Sequence, residues 1–432
     1  MRIIKSGQKN FGKLMESLYE RPGYPPEIED SVKAIINDVR KKGDAALIKY
    51  ALRFDKVKLS PSSMGVEKRE IDAAVATLDA KSRKAIDTAV RNVSLFAAER
   101  LPENWTFSPR DGVFLGEKFG PLDRVGVYIP GGTAPLVSTV IHTAAIAKAA
   151  GVKEIVAVTP PGKDGKIHPA VLYAMKKAGV TEIYRLGGVY GIAALAYGTK
   201  TVKKVEKIVG PGNAYVTAAK KLVYGQVAID MIAGPSEIMI IADSVKDAPF
   251  IAADMLSQAE HGSGLEQAVL LSINPKLPGA VLGELKKQSA ELGRLEAVKK
   301  VLENGVFIIE LGTLAEAVEI ANRYAPEHLE IMCGNPWNTA KKIKAAGAIF
   351  IGRWTPEPAG DFVAGPSHVL PTAGSARYFS GLTVESFFRR TSILNYQEKA
   401  IQKEIPDIVS FAEMEGLDAH GKSALIRMNK KR

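Results

Sequence analysis

Between Arg124 and Asp230 the chain repeats one unit: a short apolar run, a tight turn, and a helix rich in small residues. Val125-Gly126-Val127-Tyr128-Ile129, Glu154 to Val158, Glu182 to Leu186, Lys207-Ile208-Val209 and Val227 to Asp230 read as strands. Ser138 to Ala150, His168 to Ala178, Ile192 to Tyr197 and Ala214 to Val223 read as the helices between them. The strands show no polar alternation, so both of their faces must be covered. A helix between each pair of strands makes them parallel. Few folds other than a parallel sheet with helices on both sides satisfy this pattern.

A second series starts at Ile238 to Ala242 and continues through Ala268 to Leu271, Val306 to Ile309, Leu329 to Met332 and Ala348 to Ile351. Helical patterns lie between these runs, so the expected class is α/β with two Rossmann-like lobes and parallel sheets. Before them, Ile28 to Val39 and Lys68 to Arg100 carry apolar residues at helical spacing and read as scaffold. The segment Arg21-Pro22-Gly23-Tyr24-Pro25-Pro26 marks the end of a short N-terminal arm, and beyond Leu382 the chain turns helical again. The expected units are 1–27, the arm; 28–127 with 238–381, a first lobe; 128–237, a second lobe; and 382–432, a helical C-terminal segment.

Composition narrows the function. Hydrophobic residues make up 46% and charged residues 24% of the 432 positions, as in ordinary globular proteins. No apolar run reaches the roughly 18–20 residues that span a bilayer, and residues 1–7 lack a signal-peptide core. Neither a membrane nor an exported setting is expected. The single cysteine, Cys333, lies in an apolar run, excludes an internal disulfide framework and fits a reducing cytoplasm. The net charge of +11 comes from scattered residues, with clusters only at Lys200 to Lys207 and Arg427 to Arg432. Neither cluster is interleaved with aromatics, so the charge reads as attraction for anionic small molecules rather than for nucleic acid.

Three loops have the build of ligand sites. Pro130-Gly131-Gly132 and Gly210-Pro211-Gly212-Asn213 each follow a strand and precede a helix, where backbone N–H groups favour an anion. Neither is a G-x-G-x-x-G fingerprint, and tight strand-to-helix turns use glycine in any case. The third, Thr355 to His368, is long, proline-rich, and carries Asp361 and His368.

The stretch Asp254 to Gly264, read as a helix, aligns Asp254, Ser257, Gln258 and His261 on one stripe before Gly262 and Gly264 end it. The wall of a site and a solvated face account for that stripe equally well. Of the six histidines, His142 reads as a core or lining residue and His168 as a surface cap. His261, His328, His368 and His420 each adjoin an acidic residue, a glycine break or both. Imidazole and carboxylate from His261, His420 and Asp361 suit zinc, but no compact ligand motif is present, so spacing leaves the metal open.

Taken in order, these segments resemble the histidinol dehydrogenase family over almost the whole chain. The resemblance rests on Arg124 to Gly132, Gly210 to Tyr215, Asp230 to Glu237, Ser257 to His261, Ala325 to His328, Thr355 to Thr372 and Glu415 to His420. It implies oxidation of an amino alcohol to the aldehyde and then the acid, with hydride passed twice to NAD. It implies zinc held by Gln258, His261, Asp361 and His420, and proton work by Glu327 and His328. Substrate would meet Ser236, His368 and Glu415 together with Gln258, His261, His328, Asp361 and His420. Tyr128 and Asn213 would touch NAD. The resemblance further implies a homodimer in which His420 and Glu415 complete the partner's site. The 238–381 region would then carry most metal and catalytic residues, and 128–237 would carry the NAD contacts.

Three departures from the family pattern flank this set. Tyr190 stands in Gly187-Gly188-Val189-Tyr190-Gly191-Ile192 where a glutamine touching NAD is usual. Ser367 replaces the asparagine before His368, and Gly262-Ser263-Gly264 follows His261 in place of an acidic-proline pair. The competing readings are a paralogue oxidising another amino alcohol or polar diol, and a basic nucleic-acid- or nucleotide-binding protein without catalysis.

Overall fold

The computed structural model describes residues 2–21, 25–131, 135–261, 263–293 and 295–428. Gly132 of the first loop, Gly262 of the helix stop, Pro22 to Tyr24 of the N-terminal break and the last four residues of the basic tail lie outside them. In chain order the strands are β1 (Arg2–Lys5), β2 (Trp105–Arg110), β3 (Val113–Pro121), β4 (Arg124–Tyr128), β5 (Glu154–Val158), β6 (Glu182–Tyr184) and β7 (Lys207–Val209). They continue as β8 (Ala228–Ile229), β9 (Glu237–Ala242), β10 (Gln267–Ser272), β11 (Val306–Glu310), β12 (His328–Met332), β13 (Ala348–Ile351) and β14 (Phe388–Tyr396).

The two apolar series form two parallel sheets, as their lack of alternation requires. One is ordered β6-β5-β4-β7-β8 and the other β1-β11-β10-β9-β12-β13. Ile238 to Ile241 and Ala268 to Leu271 are fully buried on both faces. Each large aliphatic side chain so covered stabilises the fold by about 1.5–3 kcal/mol. Separate apolar clusters line the two faces of each sheet. Among the described residues no helix is long and apolar enough to cross a membrane.

Several expectations are corrected. The N-terminal arm is part of a sheet: β1 pairs in parallel with β11 and the helix Phe11–Tyr19 joins that sheet's apolar face. The helices of 28–100 pack on the five-stranded sheet, and touch 238–381 chiefly through the segment 363–369, where Asn92 Nδ2 donates to the Val363 carbonyl at 2.8 Å. Val32, Ile36 and Leu47 join one of its faces, while Ile86, Val93 and Ala97 join the other. The C-terminal segment is helical from Glu398 on, as expected, but it first forms β14, which pairs antiparallel with β3, itself paired with β2. The run Ser138 to Ala150 is a helix interrupted by a π-helical turn at Ile141–Ala145.

The connection between the sheets positions everything that follows. The chain leaves the carboxyl edge of the five-stranded sheet after β8 and enters the amino edge of the six-stranded sheet at β9, within the short segment 230–236. Thr217 Oγ1 donates to the carbonyl of Ala233 at 3.1 Å, and the amide of Gly234 donates to Thr372 Oγ1 at 2.5 Å, pinning that segment from both sides. The facing edges enclose the candidate site.

Candidate active site

On the five-stranded side, β4 and β7 are neighbours and the strand order reverses between them. The turns that follow them, at 129–131 and 210–213, therefore flank the crevice where such sheets take ligands. Gly210 has φ +117°, and a Cβ there would come within 2.3 Å of the Tyr128 carbonyl oxygen, so only glycine fits. Its amide donates to Asp230 Oδ2 at 2.7 Å and its carbonyl accepts from Lys220 Nζ at 2.9 Å. Lys220 and Asp230 form a buried ion pair, which holds this turn rigid.

The three expected cofactor residues differ in situation. Asn213 is exposed at the start of helix Ala214–Val223, where its Oδ1 accepts from the amides of Tyr215 and Val216. The Tyr128 hydroxyl accepts from the amide of Gly188 at 3.2 Å, and burial raises its pKa to about 12. Tyr190 is 1% exposed, and its hydroxyl donates to Asp55 Oδ2. Burial, reinforced by the Asp55 charge, pushes the Tyr190 hydroxyl far above its ordinary value.

On the six-stranded side the reactive groups collect at the amino edge of β9, β12 and β13, with His328 in register with Ile238 and Ala348. Ser236 and Glu237 open β9, and Glu327 and His328 open β12. Helices returning antiparallel to the strands bring Gln258 and His261 at the end of Ala248–Ala259, and Asp361 near the end of Glu357–Phe362. The long loop of the sequence reading thus contains a short helix.

His328 Nδ1 donates to the carbonyl of Glu237 at 3.0 Å. Its Nε2 is buried, without a hydrogen-bond partner, 3.7 Å from Asp361 Oδ1. Burial opposes a charge on this ring, but Glu327, Asp361 and Glu357 outweigh it and raise the pKa to about 10. Glu327 accepts on one oxygen from Ser236 Oγ at 2.5 Å and from the amide of Glu237 at 2.9 Å. Burial nonetheless holds its pKa above the usual carboxylate range. Burial acts the same way on Asp361, but the nearby His328 and the facing His368 prevail and lower its pKa.

The stripe on Ala248–Ala259 is buried rather than solvated. Ser257 Oγ donates to Glu357 Oε2 at 2.7 Å, and Asp254 lies beside Glu330, which accepts from the amide of Glu357 at 2.9 Å. Burial raises the pKa of Asp254 to about 6 and that of Glu357 to about 8, the latter reinforced by Asp361. Gln258 is fully buried, with Oε1 unpartnered and Nε2 3.5 Å from His261 Nδ1. His261 itself is exposed.

His328, Glu357 and Asp361 offer ligand atoms within 4.8 Å of one another. Of the four expected ligands, Gln258 and His261 adjoin each other, and Asp361 stands with His328. His420 is exposed on the C-terminal helix Asp418–Leu425, and no hydrogen bond, ion pair or ring contact ties it to the others within the chain. Glu415, also exposed, ends the helix Glu398–Glu415. His368 stacks on His142 with ring centroids 4.6 Å apart.

The family model for histidinol dehydrogenase matches residues 22–428. The chain belongs to the histidinol dehydrogenase family. It is 46% identical over 428 residues to histidinol dehydrogenase of Clostridium acetobutylicum, covering 99% of each chain. It is likewise 46% identical over 400 residues to that of Geobacillus kaustophilus, covering 93% of this chain and 94% of the other. A crystal structure of histidinol dehydrogenase from Elizabethkingia anophelis superposes with a TM-score of 0.93 at 36% identity, covering 99% and 98% of the two chains.

The positions noted as departures from the family pattern have partners within the chain. Ser367 Oγ donates to the carbonyl of His142 at 2.9 Å, and Glu266 accepts from the amides of Ser263 and Gly264 to fold the turn after His261. Arg21 reaches from the N-terminal arm to Glu237 Oε2 at 2.6 Å, and the amide of Ala373 donates to Glu237 Oε1. Sequence reading missed Arg21, Glu237 and Glu357 as parts of the site. Glu357, between two prolines, was the one with a visible signal, since a carboxylate in so constrained a turn has few uses at the surface.

Proposed function

We propose that this chain oxidises L-histidinol through the aldehyde to L-histidine, the closing steps of histidine synthesis, as a cytoplasmic zinc- and NAD-dependent homodimer. The observation that carries the reading is the amino-edge cluster. An oriented imidazole, a buried carboxylate, and an unpartnered amide oxygen beside a second imidazole meet in one acid-rich pocket.

The residues fit a divalent cation. Gln258 Oε1 lacks a partner, and Asp361, Glu357 and Glu327 crowd the pocket with more negative charge than His328 alone offsets. Gln258, His261 and Asp361 would hold zinc, with His420 supplied by a second copy of the chain. Bound zinc would fix the orientation of the amino alcohol and offset the carboxylates around His328. NAD, accepting hydride, would lie against the carboxyl edge of the five-stranded sheet near Tyr128 and Asn213.

The chain's own groups account for the proton work. Because the Glu237 carbonyl can only accept, neutral His328 carries its proton on Nδ1 and presents a bare Nε2. That nitrogen takes the hydroxyl proton as hydride leaves. Glu327, kept basic by its raised pKa, takes a proton from the water that adds to the aldehyde before the second oxidation. Ser236 and the Glu237 amide hold that carboxylate in place. Ser236 and His368, with Glu415 supplied by the second copy, make polar contacts to the substrate.

Mixing the protein with L-histidinol and NAD tests this reading. Two NADH per L-histidinol, abolished by a chelator and restored by zinc, is the expected result. NADH from another amino alcohol or a polar diol, but not from L-histidinol, would assign a paralogous activity instead, for which the buried Tyr190 is the motive.

A further inference from the structure

His142 has no role in the chemistry above, yet it is fully buried beside it. It belongs to the π-helical turn Ile141–Ala145, on the helix that follows the first glycine turn of the five-stranded sheet. A π-turn inserts one residue into the helical register and so changes which side chain the helix directs to a neighbour; such turns are common at functional sites. The neighbour here is the segment from Asp361 to Val369. The His142 ring stacks on His368 with centroids 4.6 Å apart and planes 21° apart. Its carbonyl accepts from Ser367 Oγ, which itself accepts from the amide of Val369 at 3.1 Å. The carbonyls of Phe362 and Pro366 face the ring, but neither ring nitrogen reaches hydrogen-bonding geometry with any described residue.

A buried imidazole without hydrogen bonds is a costly filler, since an unsatisfied polar group loses about 1–3 kcal/mol that an apolar side chain would not. Packing alone therefore does not explain a histidine here. What the ring supplies is a flat partner for His368, delivered from the opposite sheet. Both rings are neutral: burial lowers the pKa of His142, and burial followed by the facing His142 lowers that of His368 to about 3. The stack therefore carries no like-charge repulsion. His368 Nε2 is buried and unpartnered, free for a ligand.

We propose that His142 is a positioning residue for substrate: by stacking on His368 it fixes the plane of the ring that meets the amino alcohol. The inference rests on the reading of His368 as a substrate contact. Because His142 reaches the site through the substrate loop and not through the turn at Gly210, its effect falls on the alcohol and not on NAD.

The test compares His142→Met, of similar bulk but not flat, with His142→Phe, which keeps a flat ring, and with His368→Ala, all in the zinc-loaded full chain. His142→Met is expected to raise KM for L-histidinol about three- to tenfold, the factor an aromatic pair is worth. KM for NAD and zinc content should stay unchanged and Tm should not fall, and His142→Phe should restore KM to within about twofold of the parent. Equal KM values for the Met and Phe variants would overturn the inference, as would a rise in both KM values accompanied by a fall in Tm. If His368→Ala leaves KM for L-histidinol unchanged, the reading of His368 fails first. If His368→Ala raises it and His142→Met does not, only the positioning role fails.

Discussion

His328 Nδ1 donates to the backbone carbonyl of Glu237, 3.0 Å away across the β9–β12 pairing. A main-chain acceptor cannot turn away or lose its charge, so the ring is held in one tautomer by the sheet itself. The same residue's side chain is held from the N-terminal arm by Arg21. The orientation of the proposed base therefore depends on strand pairing rather than on a loop.

From this relationship, His328→Ala should lower kcat about 10²–10⁴-fold, the usual worth of a positioned general base. Zinc content and KM for NAD should be retained. Steady-state kinetics with metal analysis checks this, and parallel loss of metal and activity would move His328 among the metal ligands.

The charge around His328 also predicts a pH effect in the metal-free protein. Its folded pKa stands at about 10, above the ordinary 6.5. The stability it contributes is complete below pH 6.5 and is lost as pH rises toward 10. Over that window metal-free protein should lose on the order of a few kcal/mol, and His328→Gln should flatten the slope. Denaturant unfolding at a series of pH values measures it, and an unchanged slope in the variant would assign the effect elsewhere.

Glu327→Gln keeps the shape of the carboxylate and removes its basicity. The first oxidation should survive better than the second, so NADH yield should fall from two toward one per L-histidinol, with aldehyde accumulating. A product analysis showing equal slowing of both steps would contradict a role confined to water activation.

Tyr190→Phe keeps the buried ring and leaves Asp55 without its donor. Stability should fall by about 1–3 kcal/mol, while KM for NAD stays within about twofold because the ring faces the core. A large rise in KM for NAD at unchanged stability would make Tyr190 a cofactor contact after all.

The sheets were legible in the sequence because unalternating apolar strands with helices between them permit little else. Less legible were β1 and β14. Arg2-Ile3-Ile4-Lys5 is too short to separate from a helix start, and exposed Phe388 to Tyr396 lacks an apolar face. Both are strands only because distant partners, β11 and β3, accept them. Gln258 and His261 could be paired from helical spacing alone. That Glu357 joins Asp361 and His328 could not, since it depends on a short helix folding back from β13 to the amino edge of β12. The separation of His420 from the other expected ligands is likewise a property of the folded chain, in which the C-terminal helices pack on each other with Phe411, Met414 and Ile426 exposed. An exposed apolar surface beside His420 is what a second copy would cover.

The most direct measurement mixes two inactive variants, His328→Ala and His420→Ala, after co-denaturation or co-expression. If one chain supplies the acid–base pair and another supplies His420, half of the dimers at equal input are mixed. Each mixed dimer carries one intact site, so activity should return to about a quarter of the parent's. A mixture as inactive as its components, with both variants folded and dimeric, would contradict the shared site.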